Sequence, residues 1–173
     1  MSLKDQLITC GAVRFGDFTL ASGAKSSYYV DIKKASTNPR ILRAVGEAIA
    51  PHAKGYDFIA GMELGAVPIA VAAALASDVP YLIVRKEAKG YGTGKRIEGD
   101  FTPGARVLVV EDVTTSGGSS IKAIDVLREA GLTVDRCITV VDREQGAKAA
   151  MADKGVQLEG LVTAKELLEA KPQ

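Results

Sequence analysis

The chain is poor in the residues that most often mark a catalytic or metal centre. It has one histidine, His52. Histidine-based triads, and metal sites that need two histidines, are therefore excluded. His52 sits between Pro51 and Ala53 and reads as an exposed residue at a helix end. The two cysteines, Cys10 and Cys137, have no CxxC spacing. A disulfide or zinc framework is not expected, and a reducing cytoplasm is the default compartment. Charge is also missing as a signal: 22 Lys+Arg against 21 Asp+Glu leave a formal net charge of +1. A balanced surface has no global pull toward nucleic acid, so an anionic partner must be met by a local cluster. The longest apolar run, residues 67–76, is about half the ~20 residues of a membrane span. The start, Met1-Ser2-Leu3-Lys4-Asp5, has an early acid and no apolar stretch, unlike a secretory signal.

What is present is an ordinary globular composition. The 173 residues are 47% apolar and 25% charged, enough for one domain spanning 1–173. Residues 3–10 predict a helix closed by Gly11. Residues 18–20 and 27–32 predict short strands around the turn at 22–25. Asn38-Pro39 opens a helix running toward Ala50, with Asn38 able to cap and Pro39 suited to the first position. An alternation follows. Strands are expected at 57–61, 81–84, 106–110, 134–141 and 156–162. Helices are expected at 67–76, 119–130, 146–154 and 164–170. Alternating strands and helices imply an α/β fold with a mostly parallel sheet, and the unbroken apolar strands suit burial on both faces. One long irregular segment remains, residues 86–100, of a length that usually marks a functional loop.

The most informative segment is Val107-Leu108-Val109-Val110-Glu111-Asp112-Val113-Thr114-Thr115-Ser116-Gly117-Gly118-Ser119-Ser120. It reads as an apolar strand, two acids, a hydroxyl- and glycine-rich loop, and a helix. Ligands of open parallel sheets bind beyond the carboxyl ends of strands, where Glu111 and Asp112 fall. Gly117 and Gly118 let backbone N–H groups approach a phosphate, hydroxyls at 114–116 and 119 add donors, and the helix start adds its positive end. The two acids would repel a phosphate. They make sense if the ligand also carries hydroxyls, as ribose 5-phosphate does. Walker A fails, because Gly94-Lys95 is followed by Arg96 and the earlier glycine position holds Lys89. The GxGxxG fingerprint fails at Ile97.

This segment resembles the phosphoribosyl-pyrophosphate signature of type I phosphoribosyltransferases. Three further segments resemble the orotate phosphoribosyltransferase branch of that family: Phe18-Thr19-Leu20-Ala21-Ser22-Gly23-Ala24-Lys25-Ser26-Ser27-Tyr28-Tyr29, Arg85-Lys86-Glu87-Ala88-Lys89-Gly90-Tyr91-Gly92, and Val141-Asp142-Arg143-Glu144-Gln145-Gly146. The resemblance implies the type I fold, a central mostly parallel sheet flanked by helices, with residues 1–35 contributing a small hood over the base site and 86–100 forming a mobile loop. It implies orotate and phosphoribosyl pyrophosphate (PRPP) as substrates, and orotidine 5′-monophosphate and pyrophosphate as products. Mg²⁺ is implied as cofactor, held by substrate and water rather than by protein ligands. The implied PRPP-binding residues are Lys25, Arg85, Lys86, Lys89, Glu111, Asp112, Val113, Thr114, Thr115, Ser116, Gly117, Gly118 and Ser119. Thr115 and Arg143 are implied to bind orotate, and Lys89 and Asp112 to carry catalysis. A homodimer is implied, the mobile loop completing the neighbouring site.

The residues themselves agree. Arg85, Lys86, Lys89, Lys95 and Arg96 form the local cationic cluster that three phosphoryl groups need, although Lys95 and Arg96 also suit a solvated loop. Arg143 suits a bidentate pairing with a carboxylate, which orotate carries. The alternative for Arg143 is an ion pair with Asp142 or Glu144. Two departures from the family pattern stand out. Tyr91 replaces a usual histidine, and the loop Glu63-Leu64-Gly65-Ala66 lacks a lysine. Purine-type chemistry is disfavoured by the 18–29 and 141–146 segments. A DNA-reading regulator is disfavoured by the lack of a spare basic helix.

Overall fold

The computed structural model describes residues 1–20, 23–88 and 94–171. The chain opens with α1 (Leu3–Thr9), then β1 (Val13–Thr19), β2 (Lys25–Val30), α2 (Ile32–Ser36) and α3 (Pro39–Ile49). A short 3-10 turn, Ala50–Ala53, carries His52 and leads to β3 (Phe58–Met62). The rest is α4 (Ala66–Ser77), β4 (Tyr81–Val84), β5 (Ile97–Glu98), β6 (Arg106–Thr114), α5 (Gly118–Glu129), β7 (Thr133–Asp142), α6 (Ala147–Ala152), β8 (Gln157–Thr163) and α7 (Ala164–Glu169).

Local chemistry sets several boundaries. Ser2 and Asp5 form a reciprocal capping box at α1. Asn38 Oδ1 accepts from the N–H groups of Arg40 and Ile41 at 3.1 and 3.4 Å, and Pro39 takes the first helical position. Thr163 and Glu166 repeat the capping box at α7.

The main sheet has the order β5-β4-β3-β6-β7-β8. All neighbours are parallel except β4 and β5. The chain steps outward from β3 to β4 on one side, then returns to place β6 on the other side of β3. The loops after β3 and β6 therefore diverge and leave a crevice between them, the place where such sheets bind ligands. The sheet is buried on both faces. Leu108 and Val110 of β6 enter a core with α1, α2, α3, α4 and α7, while Val107 and Val109 enter a second core with α5 and α6. Alternation along the strand makes this division. Leu108 is fully buried, and its truncation to alanine should cost about 2–5 kcal/mol.

Four expectations need correction. Strand β1 starts at Val13, earlier than the turn signals suggested, and Ile32 opens a helix instead of ending a strand. Strand β6 continues through both acids to Thr114, because β7 supplies ladder partners as far as Thr114↔Asp142. The stretch 86–100 is not irregular throughout, since Ile97 and Glu98 return to pair with β4. No helix among the described residues is long and apolar enough to cross a membrane.

Candidate active site at the carboxyl end of the sheet

Strand alternation separates the two acids. Glu111 continues the face of Val107 and Val109, toward α5. Asp112 continues the face of Leu108 and Val110, toward α4. Glu111 is buried; its Oε2 accepts from Ser120 Oγ at 2.8 Å, and its Oε1 accepts from the Asp112 N–H at 3.1 Å. Burial, then the neighbouring Asp112 carboxyl, push the Glu111 carboxyl up to about 7. Burial disfavours the charged form, and a second carboxylate opposes a second negative charge. Asp112 is less buried, and its Oδ1 accepts from the Val113 N–H at 2.8 Å.

Across the crevice, the loop after β3 presses against this acid. A Cβ built on Gly65 would meet Asp112 Oδ2 at 2.3 Å. A side chain there would have to displace the Asp112 carboxyl, so the loop approaches that acid with backbone alone. The Glu63–Leu64 peptide of this loop is cis. Glu63 Oε1 accepts from the Lys86 N–H at 2.8 Å, joining the loop to the start of the 86–100 segment.

Residues 111 and 113–120, with Lys122, line a pocket of about 280 Å³. Thr115, Ser116, Gly118 and Ser119 are exposed within it. Gly117 adopts φ 84° and caps α5. A side chain there would be strained, and its Cβ would sit 3.2 Å from that of Ala147. Twelve-residue α5 begins at Gly118 with its first N–H groups facing this turn, an arrangement suited to an anion. The turn is bound to the end of β7: the Arg143 N–H donates to Thr114 O at 2.9 Å and the Ala147 N–H to Thr115 O at 3.2 Å.

Arg143 lies at that junction and is 7% exposed. Neither sequence neighbour pairs with it. Asp142 Oδ1 accepts from Thr114 Oγ1 at 3.3 Å and from the Glu144 N–H at 2.9 Å. Glu144 Oε2 accepts from the Lys165 N–H at 2.9 Å. Arg143 instead donates from Nη2 to Ser26 Oγ at 3.3 Å, and its guanidinium carbon lies 4.6 Å from the centre of the Tyr28 ring. Its Nε is buried with no hydrogen-bond partner among the described residues. Burial raises the Tyr28 phenol above its ordinary value, so the ring beside Arg143 is neutral.

The cationic cluster divides. Arg85 Nη1 approaches Glu98 Oε1 at 3.5 Å. Arg96 Nη2 donates to the carbonyls of Arg85 and Lys86 at 3.3 and 2.9 Å, which makes it a brace and not a solvated loop residue. Lys86 and Lys95 are exposed. Lys25 Nζ donates to Thr19 Oγ1 at 2.7 Å on the β1–β2 hairpin. Lys89 and Tyr91 lie outside the described residues, as do Ala21 and Ser22 of the 18–29 segment. His52 is half-buried, with Nδ1 3.8 Å from Glu159 Oε2. Sequence reasoning missed Ser26, Tyr28, Glu63 and Ser120 as partners of site residues. The available signals were that Ser26 and Tyr28 share a motif with Lys25, and that Ser120 and Glu63 lie within quoted loop segments.

Comparison with known proteins agrees with this geometry. The Phosphoribosyl transferase domain family matches residues 32–159. The orotate phosphoribosyltransferase of Methanoculleus marisnigri is 54% identical over 163 residues, covering 94% of this chain and 95% of its own. The crystal structure of the Aeropyrum pernix orotate phosphoribosyltransferase superimposes with a TM-score of 0.86 at 37% identity, covering 97% of both chains. That of the Mycobacterium tuberculosis H37Rv orotate phosphoribosyltransferase in complex with 5-phospho-alpha-D-ribosyl 1-diphosphate superimposes at 0.79 with 32% identity, covering 95% of this chain and 96% of that one. With the strand-end acids, the hydroxyl- and glycine-rich turn and the unpaired arginine already in place, these likenesses show that the chain belongs to the phosphoribosyltransferase family, in its orotate phosphoribosyltransferase branch.

Proposed function

We propose that the chain transfers the ribose 5-phosphate group from PRPP to orotate, giving orotidine 5′-monophosphate and diphosphate in pyrimidine biosynthesis. The observation that carries this reading is the buried Arg143, a cation with no carboxylate partner among the described residues, at the edge of a phosphate-shaped turn. A desolvated, unpaired guanidinium favours a carboxylate ligand strongly, and orotate is a carboxylated base.

Thr114 to Ser119 are read as the cradle of the 5′-phosphate, with Val113 holding the strand end. Asp112 accepts from the ribose hydroxyls, assisted by Glu111. Thr115 and Arg143 hold orotate. Lys25, Arg85, Lys86 and Lys89 supply positive charge to the diphosphate. The reaction is a displacement at the anomeric carbon with oxocarbenium-like character. The carboxylate of Asp112 favours the positive charge that develops on the sugar, and the basic residues favour the negative charge on the departing diphosphate. Orotate N1 is already acidic, so no strong base is required. We read the loop between β4 and β5 as the segment that closes over the site and keeps water from the activated sugar.

PRPP bound beside the loop of residues 113–120 would hold Mg²⁺ mainly through its own oxygens and water, without a direct protein ligand. Bound Mg²⁺ would neutralise charge on the diphosphate. We also read the protein as a cytoplasmic homodimer. Leu64 and Leu75 are 72% and 83% exposed, and Leu75 borders a groove with Pro39, Leu42, Val71 and Ala72. Leu64 adjoins Gly65, so an interface there would border the site.

The test is to follow orotate absorbance with PRPP and Mg²⁺ present, then with each omitted. Consumption of orotate only in the complete mixture is the expected result. Equal consumption of adenine or hypoxanthine, with orotate untouched, would overturn the reading.

A further inference from the structure

Arg143 is presented to the site by a segment more than 100 residues away in sequence. A buried arginine beside two acids would ordinarily pair with one of them, and a paired guanidinium is a poor carboxylate receptor. Here each acid is diverted. Asp142 is held by Thr114 Oγ1 and the Glu144 N–H, and Glu144 by the Lys165 N–H. What meets the guanidinium instead comes from β2. Tyr28, 6% exposed, lays its ring 4.6 Å from the guanidinium carbon, and Ser26 Oγ accepts from Nη2 at 3.3 Å. In a strand, residues two apart share a face, so Ser26 and Tyr28 reach the same arginine. An aromatic face attracts a cation and fixes the guanidinium plane without supplying a negative charge.

We propose that Tyr28, with Ser26, is a positioning residue for base recognition: it holds the Arg143 guanidinium in place un-neutralised, so that the first carboxylate it meets is that of the substrate. The proposal rests on the reading of Arg143 as the orotate-carboxylate receptor. It adds that specificity for a carboxylated base depends on the N-terminal hairpin as well as on β7. The hairpin β1–β2 forms its own two-stranded sheet, so it docks on the main sheet through contacts such as these rather than through a shared ladder.

The experiment measures KM for orotate and for PRPP, and kcat, in wild type, Tyr28→Phe, Tyr28→Leu, Ser26→Ala and Arg143→Ala. Tyr28→Phe keeps the ring and should leave both KM values within about twofold. Tyr28→Leu removes the ring face and should raise the orotate KM about 5- to 30-fold while moving the PRPP KM less than about twofold. Ser26→Ala should raise the orotate KM by a smaller factor. If Tyr28→Leu does not fold, phenylalanine at position 28 carrying one, two or three ring fluorines keeps the shape and drains the ring face. The orotate KM should then rise with each fluorine. An orotate KM insensitive to leucine and to fluorination, or equal increases for both substrates, would overturn the positioning role. Arg143→Ala separates the two levels. If it leaves the orotate KM unchanged, the receptor reading itself fails. If it raises the orotate KM while the position 28 variants do not, only the Tyr28 proposal fails.

Discussion

The two ends of the site are built in opposite ways. The phosphate end is one continuous run, from Glu111 on β6 to Ser120 on α5, whose acids are bonded within the run, the Asp112 N–H to Glu111 Oε1 and Ser120 Oγ to Glu111 Oε2, while β7 braces the turn from outside. The base end joins Ser26 and Tyr28 of β2 to Arg143 after β7, with 117 residues between Ser26 and Arg143. A phosphate can be bound by backbone N–H groups and a helix start, which a short motif supplies by itself. A carboxylate on a flat base needs a buried cation, and keeping that cation available needs an aromatic wall brought from elsewhere in the fold. On the proposed assignment of these residues, substrate choice sits in the non-local half of the site, and the local half holds what is common to any activated ribose phosphate.

The largest expected effect that would break this division comes from Asp112→Asn. Removing one charged acceptor is worth about 1.5–3 kcal/mol, or roughly 10- to 150-fold. That loss should appear in kcat and in the PRPP KM, with the orotate KM nearly unmoved. Full activity in this variant would remove the acid pair from the mechanism.

A second effect tests whether the 86–100 segment serves the neighbouring subunit. Equal amounts of denatured Lys89→Ala and Asp112→Asn subunits, refolded together, should give half hybrids. Each hybrid would have one intact site of two, so activity recovers to roughly a quarter of wild type. No recovery, with hybrid dimers demonstrated, would assign the loop to its own subunit.

The smallest effect concerns Glu111 and stability. Its folded carboxyl is raised from 4.5 to about 7. The folded chain thus retains a proton that the unfolded chain releases. That contribution is complete below about pH 4.5 and is lost as pH rises through about 7. Glu111→Gln carries no such loss. Relative to wild type, the variant should gain in melting temperature as pH rises from about 4.5 to about 8, with the change centred between 4.5 and 7. A gap independent of pH would show that Glu111 is charged in the free enzyme.

The sequence was legible where the physics is local. The apolar runs of β6 and β7 marked buried parallel strands, Asn38-Pro39 marked the start of α3, and the strand–acid–turn–helix order marked the phosphate cradle. Its reach ended where partners come from other strands. The extension of β6 to Thr114 depends on the β7 ladder, and β5 exists because Ile97 and Glu98 find an edge on β4. The contact of Gly65 with Asp112 depends on β3 and β6 being neighbours. Arg143 was identifiable as a candidate carboxylate receptor, but its release from Asp142 and Glu144 was not. The diverting groups, the Thr114 hydroxyl and the Lys165 N–H, are brought in by the fold.

The most direct test of the division between the two ends is Arg143→Ala assayed with both substrates varied. The account predicts an orotate KM raised roughly 10- to 150-fold, the worth of one charge-assisted contact, with the PRPP KM within about twofold of wild type. An unchanged orotate KM, or equal increases for both substrates, would contradict it.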